Sequence, residues 1–207
     1  MNHQEPINNH LYLIPFSANR SEFVVKKSRF IGCIQHVTSR SDAMNFLESM
    51  QLEFSDASHH CWAYQLGNPL FAHNAAMSDD GEPSGTAGSP IVNVMKHQPV
   101  GDCMVIVVRY YGGIKLGVGG LVRAYSTAAK MTFDNLPTRQ HITLKEQKLI
   151  IDYADEQFLR HWLKTNNGTV IDMQYSDCIV CKVSIPYDSL NDLTELSASR
   201  HWKIVLK

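Results

Sequence analysis

The stretch DCMVIVVRYYGGIKLGVGGLVRAYSTAAK, residues 102–130, constrains the fold more than any other part of the chain. From Cys103 to Val108 every residue is apolar, so alternate side chains cannot be shown to water. Such a run reads as a strand buried on both faces. Arg109, Tyr110 and Tyr111 follow, and then five glycines at Gly112, Gly113, Gly117, Gly119 and Gly120. Leu121, Tyr125, Ala128, Ala129 and Thr132 recur at helical spacing and predict a helix from about Gly119 to Asn135. Missing side chains at a strand-to-helix corner let main-chain N–H groups approach a ligand, and the helix dipole there favours an anion such as phosphate. The spacing matches neither a P-loop nor a dinucleotide fingerprint, so it assigns no nucleotide class. Glycines that only permit a tight turn and close helix packing fit equally well.

The remaining pattern predicts mixed α and β structure. EFVVKKSRFIGCIQHV reads as a hairpin turning at Lys26 and Lys27, and Ser41 or Asp42 would cap a helix carrying Ala43, Phe46, Leu47 and Met50 on one face. HHCWAYQLG suits a short strand. The following NPLFAHNAAMSDDGEPSGTAGSP reads as one long loop, and IVNVMKHQ as a short helix with Thr86 or Ser89 near its start. The opening MNHQEPINNH is polar and expected to fray. After a break at NLPTRQH the order is strand, helix, strand, strand, helix, strand, from Ile142 to Leu206. That β-α-β-β-α-β order is ferredoxin-like. Domains of residues 1–138 and 139–207 follow.

Charge narrows the partners. The formal net charge is -1. Lys and Arg number 11 against 11 Asp and Glu up to Arg139, and 8 against 9 beyond it, so neither half is basic. Any nucleic-acid affinity must come from a local patch. Five cysteines, an odd number, with no secretory segment ahead of them, predict a reduced, cytoplasmic setting. No apolar run approaches the roughly 20 residues of a membrane span. Cys178 and Cys181 form a C-x-x-C inside a strand-like run, where alternation sends the thiols to opposite faces.

Four stretches are candidates for chemistry. Around the glycines, Lys26, Lys27, Arg29, Arg109, Lys115 and Arg123 are the expected phosphate-binding cations, with Tyr110 and Tyr111 as a stacking face. In SDDGEPSGTAGSP, Asp79, Asp80 and Glu82 put three carboxylates within four positions, enough to hold a hard cation or orient a water. The same loop reads equally as a polar turn in which Thr86 caps a helix. Beside an anion site, Asp79 and Asp80 would need to pair with Arg109, Arg123 or Lys26. His59 and His60 are the other catalytic candidates, but neighbours on a strand face opposite sides, which leaves them short of a metal-ligand set. No metal or cofactor is predicted.

The blocks KKSRFI, HHCWAY, SDDGEPSGTAG and VVRYYGGIKLGVGGLVRAY resemble, in this order, those of the Impact/YigZ family. The resemblance implies an α+β chain: an N-terminal domain like ribosomal protein S5 domain 2, a sheet with helices on one face, then a ferredoxin-like domain similar to those of elongation factor G. It also implies a link to translation, through protein partners in eukaryotic relatives and through nucleic acid in bacterial ones. A proline-dipeptidase label carried by some members finds no support here, because a dinuclear metallopeptidase needs a fuller ligand set than one acidic loop. The resulting expectation is a protein that binds RNA, the ribosome or a translation-related protein without turnover. One alternative is an enzyme acting on a phosphorylated small molecule or a hydrolase using the acidic loop, and another is a protein-interaction module.

Overall fold

The computed structural model describes residues 11–205, so the polar start and the end of the last predicted strand lie outside the described residues. The chain divides into two units, one ending at His141 and the next beginning at Ile142. Both mix α and β.

In the first unit, strands β2 (Asn19–Val25), β3 (Ser28–His36), β4 (His59–Leu66), β5 (Asn74–Ser78) and β6 (Cys103–Tyr110) form an antiparallel sheet in the order β2-β3-β6-β4-β5. β6 lies at its centre, as an apolar run must. Its odd residues Val105 and Val107 join a core with Ile91, Met95, Tyr125 and Ala128, while Met104, Ile106 and Val108 join another with Ala43, Phe46 and Met50. Helices α2 (Gly88–Lys96) and α3 (Val118–Phe133) therefore cover one face, and α1 (Arg40–Glu53) the other. The family resemblance implies helices on one face only. Seven buried residues among the eight of β6 explain the second layer. β1 (Leu11–Pro15) and β7 (Thr138–Ile142) pair as a separate two-stranded sheet, where the sequence suggested only a break.

Several local expectations need correction. Ser39, rather than Ser41 or Asp42, caps α1: its hydroxyl accepts the Asp42 N–H at 3.1 Å, and Asp42 returns a carboxylate to the Thr38 hydroxyl at 2.6 Å. The long loop contains β5, whose residues pair with β4 from Leu66↔Asn74 to Trp62↔Ser78. Thr86 does not cap α2, because its hydroxyl donates to the Pro83 carbonyl instead.

The second unit holds β8 (Leu144–Ile151), α4 (Glu156–Thr165), β9 (Thr169–Tyr175), β10 (Ile179–Pro186), α5 (Leu190–Ser199) and β11 (Lys203–Val205). Its sheet order is β11-β8-β10-β9, antiparallel throughout. Leu149, Ile151, Ile179, Cys181 and Val183 meet Leu159, Leu163 and Leu193 in its core. The amphipathic α4 carries Leu159 and Leu163 one turn apart, and the chain leaves it through Asn167 at φ 54°. No described helix is long and apolar enough to cross a membrane.

Candidate functional site

The strand-to-helix corner is open to solvent. Tyr111, Gly113, Lys115, Gly117 and Gly119 are all exposed. Gly112 serves close approach: a Cβ there would lie 2.0 Å from the Lys27 carbonyl, and its N–H donates to the buried Ser28 hydroxyl at 3.2 Å. Gly117 has φ 75° and ψ 164°, a conformation essentially reserved for glycine, with nothing within 4 Å of its missing Cβ. It starts α3 with no side-chain capping hydrogen bond at the helix end. Gly119 and Gly120 follow in the first turn. Gly112 and Gly120 thus serve packing, a Cβ on Gly120 lying 3.0 Å from that of Leu116, while Gly117 opens the helix without a capping side chain.

Two grooves meet at that turn, and Leu116 lines both. The smaller, about 190 Å³, lies between the hairpin and α3 and is lined by Lys26, Gly120 and Arg123. The larger, about 560 Å³, is lined by His59, Glu82, Arg109, Tyr111, Lys115 and Gly117, together with apolar atoms of Val118 and Leu121. The expected cations therefore divide. Lys26 and Arg123 share one groove, and Arg109 and Lys115 the other. Arg29 is exposed and held by both carboxylate oxygens of Glu22 at 2.7 and 2.8 Å. Lys27 occupies the hairpin turn with φ 63°, next to Lys26 at 46°.

The larger groove has a polar floor made by the register of two strands. His59 and Arg109 are Cα partners across β4 and β6, which places their side chains beside each other. Arg109 is buried and pairs with the buried Glu82 through a short contact between Nη1 and Oε1. Its guanidinium lies 5.5 Å from the rings of both Phe30 and Tyr111, and its Nε has no hydrogen-bond partner. The Tyr125 hydroxyl donates to the same Glu82 oxygen at 2.8 Å. His59 Nδ1 lies 2.8 Å from the Asp80 carbonyl, which can only accept, so this nitrogen carries the proton. Nε2 then remains an acceptor in the neutral ring, 3.8 Å from Glu82 Oε1.

Neither Asp79 nor Asp80 pairs with Arg109, Arg123 or Lys26, contrary to the expectation from charge. Asp79 accepts main-chain N–H groups of Gly85, Ala87 and Gly88 at 2.8–2.9 Å, capping α2 from upstream. Burial alone would raise its carboxyl pKa, but those three donors bring it below the usual range. Asp80 accepts the His60 N–H. The third acidic residue, Glu82, is the one that meets a cation. His60 points elsewhere, buried, with Nε2 unpartnered. Tyr110 donates to Asp56 at 2.8 Å, and Tyr111 keeps its ring half exposed.

Sequence reasoning placed Tyr125 on the helix after the glycines, without its bond to Glu82 beneath the groove. A fully buried tyrosine requires a partner for its hydroxyl, and that requirement was the available signal. Cys61 Sγ lies 3.3 Å from the same hydroxyl, and burial pushes its thiol up to about 12. Ser58, Pro83 and Leu116 also line the groove, with no motif to mark them. All five cysteines are free, and among the described residues no three His, Cys, Asp or Glu side chains converge as a metal site.

An α+β chain of two units, with an open, polar-floored groove beside a bare helix end, is the class of protein that this geometry defines. The chain belongs to the Impact family: residues 26–133 match the Impact N-terminal domain. It is 37% identical over 175 residues to the IMPACT family member YigZ of Escherichia coli (strain K12), covering 84% of this chain and 86% of that protein. An IMPACT family member of Haemophilus influenzae is 34% identical over 193 residues, covering 91% and 94%. A crystal structure described as that of a hypothetical protein superposes with a TM-score of 0.73 at 32% identity, over 96% of this chain and 98% of that one.

Proposed function

We propose that this chain binds RNA, or the RNA-bearing translation machinery, along the rim of the first turn of α3, without turnover. Family membership supports a link to translation, which is generally associated with Impact proteins. For a β-α-β-β-α-β chain, a sheet that runs fourth, first, third, second supports reading the second unit as ferredoxin-like. In the first unit, α2 and α3 lie together on one face of the sheet as the S5-like reading asks, while α1 on the other face is an addition to it; the domains proposed are residues 1–138 and 139–207.

The observation that carries the proposal is the pair of grooves on either side of one bare helix end. Lys26 and Arg123 line one and Lys115 the other, so a phosphate chain meets cations on both sides of N–H groups that no side chain caps. With near-neutral overall charge the contact is local, on the order of three phosphates. Binding to a short single-stranded RNA should then weaken with salt at a log–log slope near −2, from roughly −0.7 per phosphate. Replacing both Lys26 and Arg123 with Ala should flatten that slope by about 1.4. Titrations between about 50 and about 200 mM salt decide it. If neither tRNA, rRNA nor ribosomes bind saturably, the proposal fails.

A second reading rests on a separate observation. Glu82 and His59 line the same groove as Gly117, so an acceptor pair and an anion seat share one cavity, as an enzyme acting on a phosphorylated small molecule would require. Hydrolysis and phosphoryl-transfer assays with and without divalent metal test it. Turnover abolished by His59→Ala would favour this reading over simple binding.

A further inference from the structure

We infer that the larger groove is a seat for a single nucleotide, a nucleoside 5′-phosphate whose base offers adjacent N–H donors, as guanine does. The inference deepens the RNA reading above and rests on it only for the source of the nucleotide, an RNA end or a free molecule. Its volume of about 560 Å³ lies in the range of small-molecule sites, roughly 300–1,000 Å³.

Three features of the groove match three parts of such a ligand. The sixteen-residue helix α3 begins at the groove with no capping side chain, and the exposed Lys115 stands beside it, which suits a phosphate. Tyr111 presents a half-exposed ring whose plane is steadied by Arg109 at 5.5 Å, which suits a base. The third feature is independent of the helix end. Glu82 is more than nine-tenths buried yet lines the groove, and both hydrogen bonds it accepts fall on Oε1. Oε2 takes part in neither. His59 Nε2, an acceptor in the neutral ring, lies 3.8 Å from Oε1 on the same floor, so the floor calls for N–H donors rather than for more negative charge.

Guanine carries a ring N–H and an amino group side by side, and the two lone pairs of Oε2, the oxygen that Arg109 and Tyr125 leave free, can accept both. Uracil flanks its one N–H with two carbonyls, which the carboxylate repels. The charge of Glu82 is offset by Arg109, so the phosphate at Lys115 meets a floor that is close to neutral.

The test uses the purified full chain and isothermal titration with guanosine 5′-monophosphate, uridine 5′-monophosphate, guanosine and inorganic phosphate. Guanosine 5′-monophosphate should bind saturably, with each of the other three at least ten-fold weaker. Tyr111→Ala and Lys115→Ala should each weaken it ten-fold or more; Lys115→Ala, at an exposed position, should do so with the melting temperature unchanged, and Tyr111→Phe, which keeps the ring over Arg109, should bind as the wild type does. A short RNA beginning with a 5′-phosphorylated guanosine should compete, and its 5′-hydroxyl form should not, if the source is an RNA end. If the mononucleotide binds and no RNA does, the groove takes free nucleotide, and the RNA proposal fails while this one stands. If RNA binds and is weakened by the Lys26 and Arg123 substitutions, but no mononucleotide saturates, this inference is overturned and the RNA proposal survives. Equal affinity for guanosine and uridine monophosphates would overturn the assignment of Glu82 and His59 to the base.

Discussion

Arg109 concentrates the physics of the site in one side chain. It stands next to the open corner, so the sequence nominated it as a phosphate ligand, yet its charge is already engaged by Glu82, 27 positions earlier in the chain. Taking both charges out of water is costly. The pair persists because Arg109 is sandwiched by Phe30 and Tyr111 and because Tyr125 also bonds to the carboxylate. Removing one partner strands the other, so Arg109→Met should cost about 3–5 kcal/mol in urea unfolding. Adding Glu82→Gln should restore most of that loss, since no charge then remains buried. A double variant as unstable as the sum of the two singles would mean that the pair is not coupled. Three acidic residues lay within four positions, and local sequence offered nothing to choose among them. The choice came from which strand end the loop folded back against.

Among the elements, α2 and β5 show why local signals ran out. α2 takes its cap from Asp79, eight residues before Ala87, where the sequence offered the nearer Thr86 and Ser89. The carboxylate can reach three N–H groups because the loop turns through Asp80 at φ 43° and Gly81 at 83°. Its folded pKa is depressed below the unfolded value of about 3.8–3.9. Its contribution is therefore complete above about pH 4 and is lost as pH falls through the lower folded value. The stability gap between the wild type and Asp79→Asn, measured by urea midpoints from pH 6 downwards, should stay constant to about pH 4 and then close. A gap unchanged down to pH 2.5 would count against that role. β5, NAAMS, has no β-branched or aromatic residue to announce a strand. It became one because the edge of β4 offered unpaired main-chain groups, which is a property of the sheet.

At the scale of the molecule, the two units bury separate apolar clusters, one on each face of the five-stranded sheet and a third under α4 and α5. Leu159→Ala, in the third, should cost about 2–5 kcal/mol in its own unit. Amide exchange in β9 and β10 should accelerate while that in β6 does not, and equal acceleration in both would mean that the units unfold together. By itself the sequence determined the α+β class, the central strand, the helix of Leu121 and Tyr125, the second unit's element order and the presence of a glycine corner between strand and helix. These follow from periodicity and local backbone freedom, which neighbouring residues encode. Only the tertiary structure decided that helices cover both faces, that Asp79 serves α2 and Glu82 serves Arg109, and that the expected cations split between two grooves. Strand register and loop return set those outcomes, because such contacts join residues far apart in the chain and no local pattern specifies which of several like groups will meet.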